Sequence, residues 1–317
     1  MTAAKNVLET IGNTSLVELR RVVPTHCARI VVKVEGENPT GSMKDRVALA
    51  MIGRPESDGR LNAGDTVVEY TGGSTGTSLA LVCAVKGYPL RIVTSTAFSE
   101  EKLTHMAALG ADLTLVPSEG GKITKQLILD MIATAREMSL QPNTYWTDQL
   151  NNQDSVEGYI PMGEEIWNQT DGAVDAFVHA VGTSHSLRGV VTALRHHNPR
   201  LTVVAVEPGE SPVLSGAQPG AHKIEGIGIG YAPPMWDPGM VDQVMAIPTA
   251  DAEAMARRLA NEEGLFAGTS SGANVLAAIQ LGVRLGRGAT IATLLVDSGL
   301  KYLSTAVFKR PAHTQGA

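Results

Sequence analysis

The chain has 317 residues, of which 43% are apolar and 18% are charged, and its formal net charge is -6. This composition is typical of a globular protein with one large domain or two ordinary ones. The negative charge argues against a large binding surface for nucleic acid or anionic lipid. No apolar run approaches the roughly 18 residues that span a membrane, and no secretory apolar segment follows Met1, so we expect a cytoplasmic protein. Cys27 and Cys83 form no CxxC pair, which predicts two buried free thiols and no metal site.

Short β-branched runs alternate with longer amphipathic stretches along the chain. The predicted strands are Ile30–Glu35, Thr66–Tyr70, Arg91–Thr94, Leu113–Val116, Asp175–Val181, Thr202–Glu207, Gln243–Ile247 and Thr290–Val296. The predicted helices are Lys44–Ile52, Thr75–Lys86, Ser99–Leu109, Ile123–Met138, Val156–Asn168, Ser186–His196, Ala250–Glu263 and Gly272–Leu285. This alternation predicts an α/β fold whose parallel sheets are covered by helices on both sides. Ligands in such folds bind beyond the carboxyl ends of the strands.

Three junctions between a predicted strand and the following helix are rich in glycine, serine and threonine. They are Glu69–Thr77, Val181–Gly189 and Ala267–Ala273. Converging backbone N–H groups, hydroxyl donors and the positive end of a helix suit a carboxylate or a phosphate. One such junction is often only a turn with a helix cap. Three in one chain indicate a ligand with more than one anionic group.

Lys44 lies at the start of a predicted helix, directly after the turn-forming stretch Glu37–Met43. A lysine is usually favoured at the opposite end of a helix, where the dipole stabilises its charge. A positive helix terminus and burial both favour the neutral amine, which is the form that condenses with an aldehyde. We therefore interpret Lys44 as an imine-forming lysine, with a solvated surface lysine as the alternative.

Five motifs give the chain a resemblance that extends from about Leu8 to Arg310. They are Ile11–Val17, Asn38–Arg46, Gly163–Trp167, Lys223–Gly230 and Gly268–Ala273. Their order and residues resemble the cysteine synthase and cystathionine β-synthase family, which consists of tryptophan-synthase-β-like, pyridoxal phosphate-dependent enzymes of fold type II. The resemblance implies two open, twisted, mostly parallel sheets flanked by helices, with the active site between two domains. Residues 41–149 would form the smaller, mobile domain and residues 1–40 plus 150–310 the larger one, while 311–317 read as a frayed tail.

The resemblance also assigns roles by position. Lys44 would be the catalytic residue, holding pyridoxal 5′-phosphate as a Schiff base and moving protons at the substrate α-carbon. The other cofactor-binding residues would be Ser74, Gly182, Thr183, Ser184, His185, Ser186 and Ser270, with Ser271 as the alternative to Ser270 at the pyridine nitrogen. The substrate-binding residues would be Thr71, Gly72, Ser74, Thr75, Gln149 and Gly226.

The implied reaction is β-replacement. An O-activated L-serine, with O-acetyl-L-serine as the expected donor, loses its leaving group to give an aminoacrylate, and sulfide or another small nucleophile then adds. This is transferase or lyase chemistry of amino-acid biosynthesis. The partners implied are a small amino acid and a small nucleophile, without nucleic acid, membrane or metal, and the family habit is a homodimer.

Two loops depart from the family pattern. Ser74 stands where the family has an asparagine that contacts the cofactor, and Ser184, His185 and Arg188 replace small residues of the phosphate loop. We hypothesise that His185 and Arg188 reshape the phosphate or substrate end of the pocket. The alternative is that both side chains point into solvent.

Other functions stay open at this point. A serine or threonine deaminating lyase, or a β-eliminating lyase, fits the same fold. The altered position 74 leaves room for a catalytically inactive ligand-binding or scaffold relative. Gly72–Gly76 and Gly268–Gly272 both fit the G-x-S-x-G pattern of a nucleophile elbow, which keeps a serine hydrolase as an alternative from another class.

Overall fold

The computed structural model of the chain describes residues 3–121 and 124–309. The strands within these ranges are β1 (Leu16–Glu18), β2 (Arg29–Val34), β3 (Thr66–Tyr70), β4 (Leu90–Thr94), β5 (Asp112–Leu115), β6 (Thr144–Trp146), β7 (Ala176–Ala180), β8 (Thr202–Pro208), β9 (Gln243–Ile247) and β10 (Thr290–Leu295). They form a six-stranded sheet of order β1-β2-β10-β7-β8-β9 and a four-stranded sheet of order β5-β4-β3-β6. Only β1 pairs antiparallel with its neighbour. The predicted fold class, two mostly parallel sheets flanked by helices, is confirmed.

The helices connect successive strands. In the described ranges they are α1 (Lys44–Asp58), α2 (Ser74–Lys86), α3 (Glu100–Ala108), α4 (Lys125–Ser139), α5 (Asp154–Glu157), α6 (Ile160–Gln169), α7 (His185–His197), α8 (Thr249–Arg258) and α9 (Thr269–Leu285). A π-helical turn, Leu259–Glu263, continues α8. Helices α1 and α2 both end at a glycine in the left-handed conformation, Gly59 and Gly87, which is the usual way to stop a helix without strain.

Among the helices whose bounds differ from the prediction, two differ most. The expected single helix Val156–Asn168 is wrong, because α5 ends at Glu157 and α6 begins at Ile160. Pro161 lies in the first turn of α6, where its missing N–H has no intrahelical partner to lose. Helix α1 was expected to end at Ile52 but continues through Pro55. The start of the predicted helix at Ile123 and the predicted tail 311–317 lie outside the described residues.

Both faces of the six-stranded sheet are buried. In β7, Ala176, Val178 and Ala180 pack into one apolar cluster, whereas the intervening Phe177 packs into another. Successive strand residues point to opposite faces, so the two clusters lie on opposite sides of the sheet. This double coverage explains why every residue of β7 and β10 is buried, instead of buried and exposed residues alternating along the strand.

The two sheets fall on either side of the expected domain division. The four-stranded sheet lies within the predicted smaller domain 41–149, and the six-stranded sheet lies within 1–40 plus 150–310. The domain boundaries themselves stay a prediction.

Cys27 and Cys83 are buried and unpaired, as expected. None of the helices in the described ranges has both the length and the apolar composition needed to cross a membrane.

Candidate active site

Lys44 is the first residue of α1 and is held against the carboxyl end of β10. Met43 N donates to Val296 O at 3.0 Å, and Ser298 N donates to Gly41 O at 2.9 Å, so the turn before Lys44 is hydrogen-bonded to the segment that directly follows β10. Burial lowers the pKa of Lys44 to about 8, and the nearby carboxylate of Asp297 partly opposes this change. Above about pH 8 the side chain is therefore largely a neutral amine, the form predicted for a nucleophilic lysine.

The loop between β7 and α7 contains the predicted phosphate-binding residues. Ser184 has a φ of 73°, a left-handed conformation that a serine adopts only when its surroundings impose it. Its Oγ is buried and has no hydrogen-bond partner in the described part of the chain. The loop feeds directly into the N-terminus of α7, so backbone N–H groups and buried hydroxyls face the same region.

His185 is buried at the start of α7, and therefore the alternative that it points into solvent is wrong. Its Nδ1 lies 2.8 Å from Thr183 Oγ1, and its Nε2 is buried without a partner among the described residues. Burial, together with the positive charges of Lys44 and Arg188, lowers the pKa of His185 to about 3, so the ring is neutral. Arg188 is half-buried, and its Nη1 donates to Met235 O at 3.2 Å.

Gly182 joins the phosphate loop to the predicted substrate segment around Gly226. A Cβ at position 182 would lie 2.3 Å from Gly226 O, so only glycine permits this approach. Next to Gly226, Glu225 N donates to Thr269 Oγ1 at 3.3 Å. The structure thus brings the second and third glycine-rich junctions together at one end of the large sheet.

Two adjacent serines in α9, Ser270 and Ser271, are the alternatives for the residue that contacts the cofactor ring. Ser271 Oγ accepts the backbone N–H of Val296 at 2.9 Å, which occupies it in holding the end of β10. Ser270 is also buried, but its Oγ forms no hydrogen bond within residues 3–121 and 124–309. This difference favours Ser270 over Ser271 as the residue that contacts a ligand.

The first glycine-rich junction leads from β3 into α2. A Cβ at Gly72 would lie 2.1 Å from the Phe98 ring, so the loop is packed tightly against the segment before α3. Thr71 Oγ1 accepts Gly73 N at 3.2 Å, while Ser74 and Thr75 form the first turn of α2. Thr40 Oγ1, beside the Lys44 turn, lies 3.2 Å from Ser78 Oγ of α2. The loop is therefore anchored next to the helix that carries Lys44.

Glu69, which holds the backbone of Gln149 beside this loop, is not among the residues predicted from the sequence. Glu69 is fully buried and accepts hydrogen bonds from Tyr70 N at 2.9 Å, Thr147 Oγ1 at 2.7 Å and Gln149 N at 2.9 Å. Burial raises the pKa of Glu69 to about 7 against the effect of these donors. The feature of the sequence that could have indicated a role for Glu69 is the presence of a charged residue within a predicted buried strand.

His179, in the middle of β7, was also missed. It is buried, and its Nε2 lies 2.8 Å from Ser186 Oγ. Burial, and secondly the charge of Lys44, lower its pKa to about 3. The proximity of Lys44 to both His179 and His185 places the lysine close to the phosphate loop.

The residues present fit a phosphorylated aldehyde. A lysine with a lowered pKa supplies the amine, and Ser184 Oγ and His185 Nε2, buried polar atoms without a partner among residues 3–121 and 124–309, line the loop at the α7 N-terminus. Such orphaned buried atoms are unfavourable unless a ligand satisfies them. The arrangement therefore suits one group that is both an aldehyde and an anion.

Comparisons with known proteins agree with this fit. The family model described as "Pyridoxal-phosphate dependent enzyme" matches residues 7–297. A cysteine synthase of Staphylococcus aureus is 40% identical over 305 residues, covering 96% of both chains. The crystal structure of a cysteine synthase from Entamoeba histolytica superposes with a TM-score of 0.91 at 36% identity, covering 98% of this chain and 92% of the other. An O-ureido-L-serine synthase superposes with a TM-score of 0.89 at 33% identity, covering 100% and 98%.

Proposed function

Because this chain belongs to the family of pyridoxal-phosphate dependent enzymes, we propose that it catalyses β-replacement on an O-activated L-serine. The proposed donor is O-acetyl-L-serine and the proposed nucleophile is sulfide, as the names of its cysteine synthase relatives suggest. The observation that carries the proposal is the placement of Lys44, an amine with a pKa of about 8, beside a loop in which two buried polar atoms have no partner in the part of the chain that the structure describes.

The proposed role of Lys44 uses its amine twice. The neutral Nζ would hold the cofactor through its aldehyde carbon with loss of water, and, once the substrate amine has taken its place there, the free Lys44 amine would remove and return a proton at the substrate α-carbon. Bound pyridoxal phosphate supplies an electron sink that stabilises negative charge at that carbon. Asp297, whose pKa burial raises to about 6, lies close enough to Lys44 to favour its charged form while the amine carries the proton.

The other predicted residues would bind and orient. Gly182 to Ser186, at the α7 N-terminus, would hold the phosphate through backbone N–H groups and side-chain donors. Ser270 would contact the ring nitrogen, because Ser271 is already engaged. These contacts fix the reacting carbon relative to Lys44 without taking part in proton transfer.

A second set of donors would bind the substrate carboxylate. Thr71, Gly72, Ser74 and Thr75 lie at the N-terminus of α2, where the positive end of the helix favours an anion. Gln149 is held beside this loop through its backbone N–H to Glu69. Since this loop belongs to the smaller proposed domain and Gly226 to the larger, we propose that the substrate is enclosed between residues 41–149 and 150–310.

The decisive experiment compares donors on the cofactor-loaded enzyme. L-serine, O-acetyl-L-serine and O-phospho-L-serine are added separately while the visible spectrum is recorded, and cysteine is measured after sulfide is supplied. We expect only O-acetyl-L-serine to change the cofactor band and to yield cysteine. Pyruvate formation from L-serine without sulfide would support the deaminating lyase instead, and a band that no donor changes would support the scaffold relative.

A pair of lysine variants supplies the control. Lys44 and Lys125 are both the first residue of a helix, but Lys125 is exposed. Lys44→Ala is expected to lower kcat by about 10³-fold, in the range for loss of a general acid–base group, whereas Lys125→Ala leaves it unchanged. Absence of any cofactor band in the wild type would refute the proposal and reopen the serine hydrolase alternative.

We also propose that the protein is a cytoplasmic homodimer. Sedimentation analysis tests the oligomeric state, and cell fractionation tests the localisation.

A further inference from the structure

A buried histidine lies directly beneath the proposed phosphate loop. His179 belongs to β7 and is only 1% exposed. Its Nε2 lies 2.8 Å from Ser186 Oγ, and its Nδ1 lies 3.4 Å from Asn274 Nδ2 of α9. The ring therefore bridges the interior of the sheet and a side chain of the loop.

The backbone fixes which way the Asn274 amide points. Asn274 Oδ1 accepts Ala180 N at 2.7 Å, and Asn274 Nδ2 donates to Leu294 O at 2.9 Å. A flipped amide would place its oxygen against a carbonyl and its nitrogen against an N–H, so this orientation is the only one that satisfies both strands. The atom that faces His179 is thus a nitrogen, which only donates.

This orientation determines the tautomer of His179. Because Asn274 donates to it, Nδ1 must accept, and a neutral ring then carries its proton on Nε2. The ring is neutral because burial and the neighbouring charge of Lys44 lower its pKa to about 3. Nε2–H therefore donates to Ser186 Oγ, and the hydroxyl proton of Ser186 remains available for another acceptor.

We propose that His179 is a positioning residue which, oriented by Asn274, turns the hydroxyl proton of Ser186 toward the cofactor phosphate. The inference rests on the proposed function insofar as it takes the loop at Ser186 to be the phosphate site. In the opposite tautomer, Nδ1–H would face the Asn274 N–H, and Ser186 would donate its proton into the sheet instead of into the site. The hydrogen bonds from Asn274 to His179 and from His179 to Ser186 thus point the Ser186 hydroxyl proton into the site without placing a charge in the core.

The first test measures the tautomer in the wild-type protein. Nitrogen-15 NMR of the cofactor-loaded enzyme labelled in histidine distinguishes a ring protonated at Nε2 from one protonated at Nδ1. We expect the His179 signal to be that of the neutral Nε2–H form from pH 6 to pH 9. A ring protonated at Nδ1, or at both nitrogens, overturns the proposal.

The second test asks whether His179 acts through Ser186. The dissociation constant of pyridoxal phosphate is measured by titrating the apoenzyme of His179→Phe, Ser186→Ala and the double variant. Each single change is expected to weaken binding by about tenfold, the effect of losing one hydrogen bond to a charged group. The double variant is expected to fall within about twofold of Ser186→Ala, because the two changes remove one shared interaction. Effects that multiply overturn the proposal.

Two further variants separate positioning from packing. His179→Gln keeps an N–H donor at a similar reach, so it is expected to restore the dissociation constant to within about threefold of the wild type, whereas a merely structural role would leave it as weak as His179→Phe. His197→Phe is the matched control, since His197 is the last residue of α7 and contacts Glu164 instead of the loop. Its cofactor affinity is expected to be unchanged.

A phosphorus-31 spectrum of the bound cofactor distinguishes failure of this inference from failure of the proposed function. The phosphate resonance is expected to shift in Ser186→Ala and His179→Phe but not in His197→Phe. If no donor is turned over while these shifts appear, the proposed reaction is wrong and the positioning role stands. If the reaction proceeds and the resonance is the same in all three variants, the positioning role is wrong.

Discussion

Replacement of Glu69 by glutamine tests whether a buried carboxyl group with a pKa near 7 makes the stability of the fold depend on pH. Glu69 has no exposed surface and accepts three hydrogen bonds, from Tyr70 N, Thr147 Oγ1 and Gln149 N. Burial raises its pKa from 4.5 to about 7, since removal from water disfavours the charge more than the three donors favour it.

The sign and size of the pH effect follow from this change in pKa. A carboxyl group whose pKa is higher in the folded than in the unfolded state stabilises the fold fully below the unfolded value, and this stabilisation is lost as the pH rises through the folded value. At about 1.36 kcal/mol per pH unit, the rise from 4.5 to about 7 corresponds to about 3 kcal/mol. About 2.5 kcal/mol of this is lost between pH 5 and pH 8.

Glutamine keeps the size of Glu69 but does not titrate. The free energy of unfolding of Glu69→Gln, relative to the wild type, is therefore expected to increase by about 2.5 kcal/mol from pH 5 to pH 8. Urea unfolding at the two pH values measures it, with the fluorescence of Trp146 in the adjacent β6 reporting on the small sheet. The exposed Glu137→Gln serves as the control and should show no such dependence. A difference between Glu69→Gln and wild type that is equal at both pH values would refute the reasoning.

Three shorter predictions concern the site. Gly182→Ala places a Cβ 2.3 Å from Gly226 O. The variant is expected to weaken cofactor binding by about tenfold or more, measured by absorbance titration. Unchanged affinity would mean that the loops at Gly182 and Gly226 separate easily. Lys102→Met removes the ion pair between Lys102 of α3 and Glu225. Because this pair is partly exposed, we expect KM to rise only about two- to fivefold with kcat little changed. A loss confined to kcat contradicts this expectation. The rate at which apoenzyme takes up cofactor should increase with pH to about 8 and then level off, following deprotonation of Lys44. A rate in stopped-flow measurements that keeps rising toward about pH 10, the ordinary range of a lysine, argues against a lowered pKa.

Short strands escaped prediction because their stability comes from their neighbours. β1 and β6 contain three residues each, too few for a repeating pattern of apolar residues. β1 pairs antiparallel with β2, and β6 pairs parallel with β3. The longer strands were predictable because burial on both faces requires a continuous β-branched or apolar run. The glycine-rich junctions were predictable for a related reason, since a tight connection into a helix limits the residue types that fit.

The choice between Ser270 and Ser271 shows what sequence position alone does not determine. Both serines lie in the first turn of α9, and either is compatible with a hydroxyl facing the cofactor. The distinction arises from Val296 N, 25 residues later, which donates to Ser271 Oγ and leaves Ser270 without a protein partner in the described ranges. A contact with a distant residue thus separates two serines that their neighbours in sequence do not distinguish, and the role of Ser270 stays a prediction.

His179 extends this reasoning from the identity of a residue to the position of one proton. A single histidine within an otherwise apolar strand is expected to be a core residue, and His179 is indeed buried. Its partner Asn274 lies 95 residues away, and the orientation of that amide is fixed by backbone groups of β7 and β10. The direction of the Ser186 hydroxyl therefore depends on how two strands and α9 pack, which no local pattern around position 179 contains. Because the same packing places Lys44 nearby, the neutrality of the ring and the lowered pKa of the lysine share their largest cause, the exclusion of water from the end of the large sheet.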